Sequence, residues 1–283
     1  MKIWESPRTK QLIRRALAED RASQDVTTKA LITDTKKSRA TVVVKATGIL
    51  AGIEVLKQVF VEVDPTLRVT INTVDGSAVK PGDVIAEIQG KTSSILKAER
   101  VALNFIQHLS GIASATASYV QAVKDLKTQI MDTRKTNPGL RALEKYAIRT
   151  GGGKNHRMNL ADGILIKDNH IAALRREGLS ISDILTKARK KAPPKLAIEI
   201  EAKTPEEAEQ AAASGADIIL LDNMSPEQMR QAVKLIGGRA LSEASGGITL
   251  ENVRAVAETG VDRISIGALT HSPKALDISL EFE

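Results

Sequence analysis

From about residue 128 the chain repeats one unit, a short apolar run followed by a capped helical stretch. The runs are "QIMD", "GILIK", "LAIEIE", "DIILLD", "ALSEAS" and "RISIGA". Near-continuous apolar strands alternating with helices mark a parallel sheet buried on both faces, because each crossover helix covers the sheet it returns to. The punctuation is regular too. "TPEEAEQAAASG" places Thr204 as cap, Pro205 in the first turn, Glu207 three residues past the cap and Gly215 as terminator. "SPEQMRQAVKLIGG" repeats this with Ser225, Pro226, Gln228 and Gly237, and "TLENVRAVAETG" runs from Thr249 to Gly260. These are capping boxes and glycine C-caps. Strand ends recur at a near-constant step: Glu201 to Asp222 is 21 residues, Asp222 to Ser245 is 23, and Ser245 to Gly267 is 22. That step suits a compact (β/α) barrel, with an open doubly wound sheet as the alternative. Six strands are short of eight, so a barrel would be incomplete or would borrow a strand from elsewhere.

The N-terminal stretch mixes its elements less regularly. "SPRTKQLIRRALAED" reads as a helix with Ser6 as N-cap and Pro7 at the first position. "RATVVVKATGILAG" reads as a strand turning at Gly48, and "GIEVLKQVFVEV" as an amphipathic helix. "SAVKPGDVIAEIQG" reads as a strand pair around a Pro-Gly-Asp turn, and the long helix after it is expected to break near Gly111. The organisation expected is an N-terminal α/β domain over 1–112 and a barrel over 113–271, with the tail 272–283 returning to pack on the first.

Composition narrows the partners. Only 2% of residues are aromatic, so aliphatic side chains must fill the core and few rings are left on which bases could stack. The net charge of +7 is scattered among acidic residues with no basic run of five or more, which favours small anionic ligands over nucleic acid or a membrane surface. There are no cysteines, which excludes disulfides, thiolate-bound zinc and a thiol nucleophile. With no apolar run of signal-peptide or membrane-spanning length, the expected location is cytoplasmic.

Reactive groups of a (β/α) barrel sit at the C-terminal strand ends. Here every such end is polar. The first carries Asp132, Thr133, Arg134 and Lys135, and the second strand begins after "RTGGGKNHRMNL", which brings Lys154, His156 and Arg157. Three glycines before three anion-binding side chains invite a phosphate-loop reading, but the Walker A and dinucleotide spacings are both absent. Further ends carry Lys167, Asp168, Asn169 and His170, then Glu199 and Glu201, Asp222 and Asn223, Glu243 with Ser245, Gly246 and Gly247, and finally Gly267. The early ends are cationic and the later ones carboxylate, followed by a Ser-Gly-Gly turn. Two subsites follow: cations for a small molecule with more than one carboxylate, and carboxylates beside a glycine turn for a magnesium-bound phosphate ester. Glu199 and Glu201 share one strand face, and the one nearer the strand end, Glu201, is assigned to the ligand.

"MDTRKTNPGLRALEKYAIRTGGGKNHRMNLADGILIKDNHI", with "LLDNM", "EASGGIT" and "GVDRISIGALTHS", resembles the quinolinate phosphoribosyltransferases, also called nicotinate-nucleotide pyrophosphorylases (carboxylating). The likeness begins at "ALAEDRASQDVTT" and includes "KAERVALNF". It departs from the family pattern at Gln24 and Asn159, where glycine is usual, which bears only on local turns. The resemblance implies an α/β open-sandwich domain followed by an incomplete barrel. It implies that quinolinate and phosphoribosyl pyrophosphate give nicotinate mononucleotide, pyrophosphate and carbon dioxide, with magnesium. It implies a homodimer or larger assembly whose sites are shared between subunits. By this likeness Arg134, His156, Arg157 and Lys167 match the quinolinate site, with Thr133 beside them and Arg100 supplied by the neighbour. Lys135 lies between the substrates, and Glu201 and Asp222 match magnesium and ribose contacts. Ser245, Gly246 and Gly247, with Ile266, Gly267 and Ala268, match the phosphate site. Two other readings stay open: a related phosphoribosyltransferase of the molybdate-transport-associated type with another acceptor, and a basic, non-enzymatic nucleic-acid-binding protein.

Overall fold

A computed structural model describes residues 2–33, 35–193 and 195–283. Two compact units emerge: Met1–Ala117 with Thr136–Gly152 and Leu269–Glu283, and Ser118–Lys135 with Gly153–Ala268. The chain is thus of mixed α/β class, with an antiparallel sheet in the first unit and a six-stranded parallel sheet in the second.

In the first unit, α1 (Pro7–Glu19) begins where the Ser6 hydroxyl accepts the Thr9 N–H at 3.1 Å. Helix α2 (Val26–Leu31) is capped by Asp25 in the same way. Then come β1 (Lys37–Val44), β2 (Gly48–Ile49), α3 (Ile53–Val63), β3 (Arg68–Ile71), β4 (Ala78–Val79) and β5 (Val84–Lys91). The main sheet has the order C-terminal strand (Ile278–Phe282), β1, β5, β3. Val42 and Val44 of β1, Ile85 and Ile88 of β5, and Leu56 and Phe60 of α3 are fully buried. Each such side chain contributes about 1.5–3 kcal/mol of transfer free energy.

Two local expectations are corrected. The Pro-Gly-Asp turn does join two strands, but they do not pair with each other: β4 pairs with β2, and β5 with β1 and β3. Asp83 closes the turn on itself by accepting the Lys80 N–H, while Gly82 and Asp83 bond the main chain of Val44. Helix α4 (Thr92–Ala122) runs unbroken through Gly111. That glycine serves packing instead, since a Cβ there would lie 2.3 Å from the Lys274 carbonyl oxygen. Helix α5 (Arg141–Thr150) ends against α4 by the same device: a Cβ on Gly151 would meet the Ala113 oxygen at 2.3 Å.

The second unit contains β6 (Gln129–Met131), β7 (Ile164–Ile166), α6 (Asp168–Arg175), α7 (Ile181–Lys191), β8 (Ile198–Ala202), α8 (Pro205–Ala213), β9 (Ile218–Asp222), α9 (Pro226–Ile236), β10 (Leu241–Ser245), α10 (Val253–Ala257) and β11 (Arg263–Ser265). The sheet order is β6-β11-β10-β9-β8-β7, with every pair parallel. Consecutive strands are neighbours from β7 to β11, and the first strand joins the last. An open doubly wound sheet would reverse direction at a switch point. This order is that of a barrel left incomplete between β6 and β7. The seam is partly filled by the glycine loop: Lys154 forms a parallel bridge with Met131, its N–H donating to Ile130 and its carbonyl accepting from Asp132.

The helix caps follow the sequence pattern. Thr204 caps α8, and Ser225 with Gln228 forms a reciprocal box on α9, which Gly237 closes in the left-handed region. Helix α10 is shorter than its sequence pattern because Thr249–Asn252 is spent in a turn. Neither Gln24 nor Asn159 has left-handed backbone; the described non-glycine residues with positive φ are Arg21, Lys195 and Asn223. Both positions therefore accept a side chain in place of glycine. Among the described residues, no helix is long and apolar enough to cross a membrane.

Candidate active site

Parallel pairing puts all six C-terminal strand ends at one end of the second unit. The loop after the glycines is held there by three links. The buried Asp132 accepts the His156 N–H at 2.6 Å, the Arg157 guanidinium donates to the Gly163 carbonyl at 2.8 Å, and Asp162 accepts the Met158 N–H at 3.0 Å. These links turn a glycine-led segment into a defined platform for two cationic side chains.

His156 is clamped from below. Its Nε2 lies 3.1 Å from a Glu199 carboxylate oxygen and 3.4 Å from one of Glu243. The Glu243 side chain is fully buried, Glu199 is 5% exposed, and the ring itself is 11% exposed. Burial alone would lower the His156 pKa, but its hydrogen bond to Glu199 and its close contact with the Glu243 carboxylate outweigh it and raise it to about 10. Burial pushes Glu199 up; the His156 hydrogen bond opposes this and the Glu243 charge adds to it. Arg157 is held below its usual range by burial, then by the neighbouring Arg134 charge, with Glu199 pulling the other way. Arg134, His156 and Arg157 thus form one electrostatic cluster. The three atoms His156 Nε2 and one oxygen each of Glu199 and Glu243 are close enough to share a metal ion. An imidazole that keeps its proton offers no lone pair there, so the chemistry of the set is that of an ion pair.

The remaining strand ends are less enclosed. Lys167 is exposed, and the next residue, Asp168, donates its N–H to Glu201 at 2.6 Å. Glu201 is half-buried, two residues beyond the interior Glu199. Asp222 is half-buried and in register with Ser245 of the adjacent strand. Asn223, with φ of 55°, donates its N–H to the Ser245 carbonyl at 2.9 Å. Gly246 and Gly247 follow with φ of 95° and 63°. A Cβ on Gly246 would lie 2.2 Å from the Asn223 Oδ1, so both backbone and space require glycine. The Thr133 hydroxyl accepts the N–H of the exposed Lys135. Ile266 is buried, its N–H spent on the Met131 carbonyl, while Gly267 and Ala268 are half-buried beyond it. Arg100 is an exposed residue of α4 in the first unit. Among the assigned residues, side-chain electrostatics join Arg134, His156 and Arg157, and strand register joins Asp222 and Ser245.

Comparison with known proteins identifies the family. The profile of the quinolinate phosphoribosyl transferase C-terminal domain matches residues 112–281, and that of the N-terminal domain residues 25–110. The chain is 45% identical over 272 residues to a probable nicotinate-nucleotide pyrophosphorylase (carboxylating) of Bacillus subtilis, covering 96% of this chain and 92% of that protein. It is 43% identical over 275 residues to the nicotinate-nucleotide pyrophosphorylase (carboxylating) of Mycobacterium leprae, covering 95% of each. The crystal structure of NadC from Streptococcus pyogenes superposes with a TM-score of 0.91 at 44% identity, covering 96% of each chain. The nicotinate-nucleotide pyrophosphorylase from Francisella tularensis gives 0.91 at 39%, covering 100% of this chain and 99% of that one. Matches to both profiles, at this identity and coverage, place the chain in the quinolinate phosphoribosyltransferase family.

Proposed function

We propose that the chain transfers the phosphoribosyl group of phosphoribosyl pyrophosphate to quinolinate with decarboxylation, giving nicotinate mononucleotide, pyrophosphate and carbon dioxide for NAD biosynthesis. The observation that carries the reading is the cluster of Arg134, Arg157 and a protonated His156, set at the strand ends that also bear Glu201 and Asp222. A dianionic pyridine matches those cations, and guanidinium groups suit carboxylates because they bond them in a planar fork. Lys167 and Lys135 extend the positive field, and Arg100 of a second subunit would add to it in a homodimer or larger assembly. Thr133 orders the backbone at Lys135.

No nucleophilic side chain is required. The pyridine nitrogen attacks the ribose carbon as the bond to pyrophosphate breaks, and the protein contributes positioning and charge stabilisation. The ring nitrogen is then quaternary. Its positive charge stabilises the electron pair left on the adjacent ring carbon when that carbon's carboxylate leaves as carbon dioxide, and a proton then bonds to that pair in the carboxylate's place. Ser245, Gly246 and Gly247, with Gly267 and Ala268, form the turns that would receive phosphate through main-chain N–H groups, beside Ile266, whose own N–H is spent on Met131.

Magnesium fits the donor set, since Glu201 and Asp222 offer hard, half-buried carboxylate oxygens that would hold it directly or through water. When bound, it neutralises charge on the leaving pyrophosphate. A cytoplasmic location suits a chain without cysteine. The test is to incubate the protein with quinolinate, phosphoribosyl pyrophosphate and magnesium and to assay nicotinate mononucleotide, with nicotinate as a parallel acceptor. Absence of product, or equal efficiency with nicotinate, rejects the reading.

A further inference from the structure

Barrel interiors are packed in layers contributed by alternate strands, and branched aliphatic side chains dominate them. Here β8 and β10, which flank β9, each place a glutamate where such a side chain belongs. Both are buried and both lie against one ring nitrogen, His156 Nε2, with the Arg157 charge also acting on Glu199. Burying two carboxylates is costly unless they are paired. Among the described residues, neither Glu243 oxygen has a hydrogen bond of ordinary geometry, leaving its 3.4 Å ion pair with His156 to compensate its burial. A pair kept at such cost in the interior, directly under the cationic cluster, calls for a reason beyond packing.

We infer that Glu199 and Glu243 are positioning residues that lock the His156 ring in one orientation and keep it a permanent cation in the anion site. The inference rests on the reading that this cluster receives quinolinate. The ring then supplies a fixed positive charge and does not exchange protons with substrate. Its surroundings are consistent from every side. Glu199 comes from β8, Glu243 from β10, Asp132 follows β6 and holds the His156 main chain, and Arg157 and Arg134 are the adjoining cations. The elevated pKa of about 10 agrees with this geometry. With the carboxylates made neutral, burial would leave the ring pKa at or below its ordinary value of about 6.5, and the site would lose one cation above that pH.

The test uses the intact protein with isotope-labelled histidine. The chain has four histidines, and His156→Gln identifies the resonance of interest. In the parent, the His156 ring stays protonated to about pH 9; in Glu199→Gln/Glu243→Gln it titrates at or below about pH 6.5. In that variant the KM for quinolinate rises about tenfold to a hundredfold as pH passes upward through the measured ring pKa, whereas the parent KM stays flat. The KM for phosphoribosyl pyrophosphate keeps the same pH dependence in both. A purely structural role would move neither the ring titration nor the pH dependence of one KM alone. An ordinary ring titration in the parent overturns the inference, and this measurement does not depend on the double glutamine variant folding. An unchanged quinolinate profile in a folded variant also overturns it. If the ring behaves as expected but no nicotinate mononucleotide forms, the clamp stands and the proposed activity falls.

Discussion

Replacing Gly246 by alanine should damage the second unit by an amount that can be divided between two causes. The first is backbone: with φ at 95°, an L-residue pays about 1–2 kcal/mol for left-handed geometry. The second is collision, because the new methyl would sit 2.2 Å from Asn223 Oδ1 and 2.5 Å from its Cγ. The Asn223 main chain is tied to Ser245, so only its side chain can yield, and an off-rotamer placement costs about 0.5–1.5 kcal/mol. Together the loss is about 1.5–3.5 kcal/mol. Gly247, with φ of 63° and open space where a Cβ would stand, should cost only the backbone share of about 1–2 kcal/mol on the same change. Asn223→Gly removes the obstacle, so in that background Gly246→Ala should fall to the cost of Gly247→Ala. Urea unfolding followed by far-ultraviolet circular dichroism is the suitable assay, since the single tryptophan, Trp4, belongs to the first unit. The KM for phosphoribosyl pyrophosphate should rise in Gly246→Ala, because the displaced turn abuts Asp222 and Ser245, while that for quinolinate holds. The reasoning is refuted if Gly247→Ala costs as much as Gly246→Ala, or if the excess survives Asn223→Gly.

The first unit offers a comparable test at Glu144, a fully buried carboxylate that takes the Asn137 N–H at 3.1 Å, the Asn137 amide at 2.7 Å and His108 at 2.9 Å. Glu144→Ala strands these partners and should cost about 3–5 kcal/mol in urea unfolding, with Glu144→Gln recovering part. The His156 clamp also predicts a pH dependence of stability. A histidine whose folded pKa is raised to about 10 stabilises fully below its unfolded value of about 6.5, and that stability is lost as pH rises through about 10. The parent should therefore lose more unfolding free energy than His156→Gln across that window; equal slopes would show that the ring is not so perturbed. If sites are shared between subunits as proposed, Arg100→Ala and Arg157→Ala proteins should each be nearly inactive, yet regain activity when unfolded and refolded together, because one site of a mixed dimer would then carry neither defect. No recovery, with subunit exchange shown by a tag, would place Arg100 in its own subunit's site.

The strand ends were legible because period and punctuation are local. A four-residue apolar run, a cap three residues before a glutamate or glutamine, and a terminal glycine each act within one turn of chain. Depth was not legible. Alternation shows that Glu199 and Glu201 share a face, but only the closing of β8 beside β9 and β7 decides that one is interior and the other half-buried. Glu243 looked like any polar residue near a strand end. The available signal was a carboxylate three residues before the end of β8 and two before the end of β10, alternate strands that supply the same barrel layer. The three glycines before Lys154 carry the same lesson. They read as one motif, yet Gly151 is small because α4 passes close by, and Gly152 because the chain turns at φ of 90°. After them the backbone joins the edge of β6, and that strand-like run brings His156 to the paired glutamates. A local pattern can announce that a backbone will be unusual, whereas the neighbour that makes it so is set by contacts far away in sequence.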